Sequence, residues 1–591
     1  MRNSRTAPHR RVSSPLLMAM LAAGAVLLHG CSTQQDHSKT PPTQGAPEKV
    51  VAPPSKPAPV ADMPVRPIDA RAMHPAELMV GLPAPSPALT QAPLDSMRSR
   101  LTRVPPDIHP VPQPDTAKYE NFNENPWLRV TEQPVSTFSA SVDTGSYANV
   151  RRFINRGQLP PKNAVRVEEL VNYFGFDDVG PAPDARDPFK VRAQVMASPW
   201  NPERGLIRIT VKGKDAAKAS LPPANLVFLV DVSGSMSPQD RLPLVQSALK
   251  LLTAQLRPQD RVSLVTYASG SQVVLPPTPG DQKERINQAI DQLHASGGTY
   301  GEGGIRLAYA QARESLLKDG INRVLLATDG DLNIGVTDPL ILKALVEDQR
   351  KSGISLTTLG VGDSNYNEAL MKKLADVGNG SYHYLDSLQE AHKVLVNEMT
   401  STLAIIAQDL KLQVEFNPAT VEEYRLIGYE LNALKREDFN NDQVDAGDIG
   451  AGHQVTAMVE FVPKGAKGTV DPLRYGSDTQ PGDKNAAAAT RTDELAWVKL
   501  RYKQPGQSSS VLTELPVARP ASLPAVATQE ADARFAVAVA AWGQWLRGSS
   551  LIGSYGPAQF VKLARDARGE DRYGHRAEFT RLAELSATMK Q

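Results

Sequence analysis

Between about residues 224 and 400 the apolar positions fall in short continuous runs, LVFLV, VSLVTY, VLLAT and ISLTTLGVG, separated by stretches with helical spacing. Strands apolar on both faces and alternating with helices are what a doubly wound, mostly parallel sheet requires. In RLPLVQSALKLLTAQL, residues Val245, Ala248, Leu249, Leu252 and Leu256 share one helical face. Further helices are expected at KERINQAIDQLHA, GIRLAYAQARESLL, DPLILKALVEDQRKSG, NEALMKKLADVG and LQEAHKVLVNEMTSTL.

On either side of this block the period drops to two. KVRAQVMASPW and GLIRITVKGK precede it, with Ile207, Ile209 and Val211 pointing one way; DLKLQVEF, HQVTAMVEFVP and ELAWVKLRYK follow it. So few strands are not stable alone. Strands from both sides are therefore expected to share one antiparallel β-sandwich, with the α/β domain inserted in it. Upstream, SYANVRRFINRGQLPP and RVEELVNYFGF read as helices that each bury one stripe, Tyr147, Val150 and Phe153 in the first and Val167, Leu170, Val171 and Phe174 in the second. The stretch from about 529 to 590 reads as helical. Its apolar segment FAVAVAAWGQWL, flanked by Arg534 and Arg547, is too short to cross a bilayer and is assigned to core packing.

A chain of 591 residues exceeds one hydrophobic core. Its 65 basic and 64 acidic side chains leave a net charge of +1, so no whole-chain field of one sign draws it to nucleic acid. Arg2, Arg5, Arg10 and Arg11, the apolar PLLMAMLAAGAVLL and then LHGC form a targeting segment. It resembles the bacterial lipoprotein signal, with Leu28, Gly30 and Cys31 at the lipobox positions and His29 departing from the usual small residue. The resemblance makes Cys31, the one cysteine, the lipid anchor to a membrane. Ser32 after it implies the outer membrane facing the periplasm, with the cell surface as the alternative. The organisation read from the chain is a signal peptide over 1–30, a proline-rich disordered tether over 31–117, an N-terminal region of helices then strands over 118–222, the α/β domain over 223–402, and a β-rich then helical region over 403–591. As a random coil the tether spans on the order of 50 Å.

The candidate chemistry sits in the α/β block. LVFLV ends at Asp231 and VLLAT runs into Asp329, and in a doubly wound sheet the carboxyl ends of the strands meet at one crevice. Ser233 and Ser235 in DVSGSM and Thr299 in SGGTYGEGG add three hydroxyls, with Gly234 read as permitting the bend. An all-oxygen set with two carboxylates suits a hard divalent cation, Mg²⁺ or alternatively Mn²⁺ or Ca²⁺, and leaves it short of negative charge. Asp-x-Ser-x-Ser, then Thr, then Asp resembles the metal-ion-dependent adhesion site of von Willebrand factor type A domains. That resemblance implies a metal at Asp231, Ser233, Ser235, Thr299 and Asp329, completed by an acidic residue of a protein partner. FSASVDTGSYANVRRFINRGQLPP, RVEELVNYF and the C-terminal region resemble those that flank such a domain in a group of bacterial lipoproteins.

Other motifs carry less. Asp143-Thr-Gly145 in SVDTGSY lacks the hydroxyls of a metal loop and a second copy for an aspartic protease, so turn chemistry is the preferred reading. EDFNNDQVDAGDIG is acidic, but Ile449 stands where a calcium loop needs glutamate; a weak surface calcium site is the residual reading. VKGKDAAKAS and PKGAKGTV miss the phosphate-loop spacing, so no nucleotide is expected. His294, His383, His392, His453 and His575 show no paired ligand spacing, and no serine lies in a Gly-x-Ser-x-Gly elbow. The resulting expectation is an envelope lipoprotein that binds a partner through a cation rather than an enzyme. The alternatives are a metal-dependent hydrolase in the same crevice and a scaffold with a purely structural ion.

Overall fold

The computed structural model describes residues 116–590 apart from 141–142, 183, 331–338, 364–365, 472 and 474–490. The signal segment, Cys31 and nearly all of the proline-rich stretch lie outside these residues.

The first described part contributes β1 (Leu128–Arg129), β2 (Val135–Ser139), α1 (Gly145–Asn155), α2 (Val167–Asn172), β3 (Phe189–Ala197) and β4 (Gly205–Gly213). The α/β domain follows with β5 (Ala224–Asp231), α3 (Leu242–Gln255), β6 (Arg261–Tyr267), β7 (Ser271–Pro279), α4 (Lys283–Asp291), α5 (Gly301–Glu314), β8 (Ile321–Thr328), α6 (Pro339–Arg350), β9 (Ser355–Gly360), α7 (Glu368–Val377), β10 (Tyr382–Tyr384), α8 (Leu388–His392) and α9 (Met399–Leu403). Its strands lie in the order β10-β9-β8-β5-β6-β7, parallel except for β7, which runs antiparallel to β6 at one edge. β5 is buried at every position, which is why LVFLV is apolar on both faces. Leu226 and Phe228 pack with Val245, Ala248, Leu249 and Leu252 of α3, whereas Val227 and Leu229 pack with Ile305 and Ala308 of α5. The helix expected over LQEAHKVLVNEMTSTL is interrupted, because a π-helical turn at Lys393–Asn397 separates α8 from α9. Within it Lys393 is buried, donating to Glu398 and lying 4.2 Å from the Tyr173 ring centroid.

Six strands follow: β11 (Ile405–Phe416), β12 (Val421–Ile427), β13 (Gly447–Gly450), β14 (Gln454–Pro463), β15 (Glu494–Lys503) and β16 (Ser510–Ala518). β4 pairs antiparallel with β14, giving a sheet β1-β12-β14-β4-β3; the second sheet runs β13-β11-β15-β16, with β2 also on β11. Strands from both sides of the α/β domain thus share one sandwich. Ile207, Ile209 and Val211 face its interior with Leu412, Val414 and Val459. The outer face of the first sheet, through Leu206, Ile427 and Met458, is covered by α1, α2, α10 (Ala531–Arg547), α11 (Pro557–Asp566) and α12 (His575–Met589). FAVAVAAWGQWL lies in α10, buried around Trp542, and no helix among the described residues is long and apolar enough to cross a membrane.

Helix α1 buries far more than the single stripe expected of it, because Ser146, Asn149, Arg151 and Arg152 are also buried. It is wedged between the α/β domain and the C-terminal helices. Arg151 pairs with Asp386 and Glu390 on one side and Glu578 of α12 on the other. Arg166, at the start of α2, donates to both oxygens of Glu368 in α7, at 2.6 and 3.0 Å, and pairs with Glu169. Burial alone would raise Glu169, but Arg166 and Lys372 overcome it and hold its carboxyl at about 2. Asp143 belongs to this network, accepting from Lys372 Nζ and from the Tyr382 backbone N–H at 3.0 Å. Its motif is therefore a structural tie. Gly145 is required beside it, since a Cβ there would lie 2.3 Å from the Tyr382 ring.

Candidate metal centre

β5 ends at Asp231 and its parallel neighbour β8 at Thr328, in a register that pairs Val230 with Ala327. Asp231 therefore stands beside Thr328, and Asp329 is the first residue past the strand. Thr328 Oγ1 donates to Asp231 Oδ2 at 2.8 Å, and the Ser233 backbone N–H to Oδ1 at 2.9 Å. Both aspartates are buried. Burial is the main force pushing the Asp231 carboxyl up to about 6; the Ser233 hydrogen bonds oppose it and the Asp329 charge adds to it. A cation beside these groups would reverse that push.

Ser233 Oγ and Ser235 Oγ lie 3.0 Å apart. Neighbouring oxygens of an octahedral shell with 2.0–2.1 Å metal bonds are about 2.9 Å apart, so this pair has the spacing of one edge of a Mg²⁺ shell. The loop carrying Thr299 is bound to the serine loop by Gly234 N–H to Gly297 O at 3.0 Å and Ser296 N–H to Val232 O at 2.7 Å. Thr299 is buried two residues beyond Gly297. Ser235 is only half-buried and marks the open side. Oxygens of these types at this spacing fit a hard divalent cation. Among the described residues no group of three or more His, Cys, Asp or Glu is disposed to hold a metal, so a cation here would draw on the hydroxyls as well as the carboxylates.

Gly234 does not have the role assigned from sequence. Its backbone is not left-handed, and a Cβ would meet Gly297 O at an ordinary 3.4 Å, so the bend does not demand glycine.

The residue missed by sequence reasoning is Arg241. It precedes α3, is buried, and donates from Nη1 to Asp329 Oδ2 and to Ser235 O, both at 2.7 Å. Its Nη2 is 3.5 Å from Asp363 Oδ1. Burial would raise Asp363, but the guanidiniums of Arg156 and Arg241 hold it below the usual carboxylate range. Gly362 makes room: its φ is +78°, and a Cβ there would lie 2.5 Å from Arg241 Nε. A basic residue at a helix N-terminus opposes the dipole, and that anomaly was the readable signal.

The acidic loop read as a residual calcium site is occupied by lysines. Lys411 Nζ donates to Asp438 O and Asn441 O, and Lys503 Nζ to Asp442 O at 2.8 Å and Asp409 Oδ2 at 2.6 Å. These ammonium groups take carbonyls that a calcium ion would need. His383 and His453, unremarkable in sequence, line a small cavity of about 20 Å³ with Arg323, Glu398 and Asp448; burial pushes His453 down to about 4 and keeps it neutral.

Residues 225–397 match the family profile described as von Willebrand factor type A domain, residues 113–208 that described as von Willebrand factor, and residues 401–589 that described as Uncharacterized protein YfbK, C-terminal. The chain is 50% identical over 481 residues to "Uncharacterized protein YfbK" of Escherichia coli (strain K12), covering 80% of this chain and 82% of that one. It is 30% identical over 185 residues to "Uncharacterized protein sll0103" of Synechocystis sp., covering 31% of this chain and 43% of that one. Among solved structures it is similar to "von Willebrand factor type A from Catenulispora acidiphila", with a TM-score of 0.36 and 15% identity over 68% of this chain and 91% of that one.

Proposed function

This chain belongs to the family of the Escherichia coli protein YfbK and carries a von Willebrand factor type A domain, and from that premise we propose that it is a binding module which captures an acidic residue of a protein partner through a divalent cation. The observation that carries the reading is the pair of hydroxyls, Ser233 Oγ and Ser235 Oγ at 3.0 Å, beside two buried carboxylates at the carboxyl ends of adjacent strands. Asp231, Ser233, Ser235, Thr299 and Asp329 are the residues that would hold the ion, Mg²⁺ first and Mn²⁺ or Ca²⁺ as substitutes. Bound there, the ion supplies an electrophilic centre for a carboxylate. Ser235, on the open side, marks where the partner's acid enters. The hydrolase alternative has little support from these acids: both Asp231 oxygens accept hydrogen bonds, and Asp329 Oδ2 accepts from Arg241, so neither is poised as a general base.

The same proposal places the domain in a bacterial envelope, held by lipid at Cys31 and a proline-rich tether, at the outer membrane and facing the periplasm. A crosslinking pull-down from envelope fractions tests it. The native protein with Mg²⁺ should retain a partner that both EDTA and Asp231→Ala release, while circular dichroism shows each sample folded. A partner retained under both treatments sinks the reading.

A further inference from the structure

Arg241 ties together two of the loops that frame the metal crevice, since one nitrogen, Nη1, donates both to the carboxylate of Asp329 and to the carbonyl of Ser235. Its other end faces Asp363 Oδ1 at 3.5 Å. Asp363 is held from the far side by Arg156, the residue just past α1, which also lies 3.5 Å from Asp240. A buried guanidinium at a helix N-terminus opposes the helix dipole and loses its hydration, so the surrounding acids keep it in place.

We infer that Arg241 is an internal counter-cation of the crevice, which makes the metal ion and an acidic ligand bind together rather than the ion alone. The inference rests on the cation reading of the five oxygen side chains. Asp231 and Asp329 together bring two negative charges to the crevice, and Arg241 cancels one of them. A divalent ion entering it leaves a local excess of positive charge, within a few Å of a guanidinium and largely out of water, where charge is poorly screened. A carboxylate from outside removes that excess. Each ligand then raises the affinity of the other by the same factor, as linkage requires. Arg241 in this role sets specificity: it selects for an anionic partner by making the metal site incomplete without one.

The test is Mn²⁺ binding to the full-length chain, followed by electron paramagnetic resonance of the free ion, with sodium acetate as the carboxylate probe against sodium chloride at equal ionic strength. The native chain should bind Mn²⁺ weakly in chloride and about tenfold more tightly in acetate. Arg241→Gln should bind Mn²⁺ about tenfold more tightly in chloride and lose most of the acetate effect. Arg241→Lys, which keeps the charge, should restore the native pattern. Asp363→Asn, which removes an acid facing Arg241, should weaken Mn²⁺ binding, the opposite direction to Arg241→Gln. If the native chain and Arg241→Gln bind Mn²⁺ equally and with the same acetate response, the inference is overturned while the cation reading stands. If no chain binds Mn²⁺, the native one included, the cation reading itself fails and the inference with it. Should Arg241→Gln not fold, Asp363→Asn decides, and an unchanged Mn²⁺ affinity in that variant overturns the inference.

Discussion

Lys372 Nζ lies 2.7 Å from Asp143 Oδ2, an ion pair between a helix of the inserted domain and a segment 229 residues earlier in the chain. The same ammonium donates to Glu169 at 2.9 Å, so it compensates two carboxylates that are both out of water. Removing one member of a buried ionic network leaves the others uncompensated, at about 3–5 kcal/mol. Lys372→Met is expected to lower the urea unfolding midpoint by a corresponding amount. A loss below about 1 kcal/mol, the range of exposed pairs, would show that water reaches the network.

Glu168, buried in α2, has its carboxyl raised to about 7, by burial first and then by the charges of Glu430 and Glu169. A folded value above the unfolded one means that its favourable contribution is complete below about 4.5 and is lost as the pH rises through about 7. Glu168→Gln should therefore stabilise the protein at pH 8 by on the order of 3 kcal/mol. The gain over the native chain should fade as the pH falls to 4.5. Denaturant melts of both chains across this range report on Glu168 and the acids coupled to it, because the remaining titrating groups cancel in the difference; a pH-independent difference would contradict the assignment.

The loop that contains Asp438, Asn441 and Asp442 is pinned by two ammonium groups, and calcium should find no place in it. Millimolar Ca²⁺ is expected to leave protease cleavage within residues 436–446 unchanged in the native chain. Lys411→Ala with Lys503→Ala should open that loop to cleavage. Protection of the native loop by Ca²⁺ would restore the metal reading of this segment.

Mg²⁺ at about a hundred times its dissociation constant should add about 2.7 kcal/mol to stability if the crevice binds it only in the folded state. Asp231→Asn and Ser233→Ala should each lose most of that increment while melting cooperatively without metal. Differential scanning calorimetry with and without Mg²⁺ reads this directly, and equal increments in all three chains would place the ion elsewhere.

The α/β block is legible in sequence because Leu226–Val230 and Val324–Ala327 must be apolar on both faces, and the change of character at Asp231 and at Thr328 and Asp329 marks the strand ends. The sandwich is only half legible. In β12 the outward positions hold Glu423 and Arg425, which alternation reads as solvated, yet both are covered: α10 buries Arg425 between Glu460 and Gln544, and the segment after β14 covers Glu423, which accepts from the backbone of Thr469 and Val470. β16 escapes notice because it is an edge strand that tolerates Pro516 and leaves Val511 and Leu512 exposed. Arg241 is legible only as a basic residue at a helix N-terminus. Its importance depends on Asp329, 88 residues away, a pairing that no local period can express.

The pairing of β4 with β14 also governs how the chain is made. β4 is complete at Gly213, but its partner begins only at Gln454, so roughly 240 residues must be synthesised before that edge can close, on the order of 10–50 s at about 5–20 residues per second. During this interval the inserted domain, whose strands are contiguous in the chain, can fold by itself while the first half of the sandwich waits with an open apolar face. The nascent protein thus has the strand ends of its crevice together before it has a finished body, and its exposure to misassembly falls in the strands that wait.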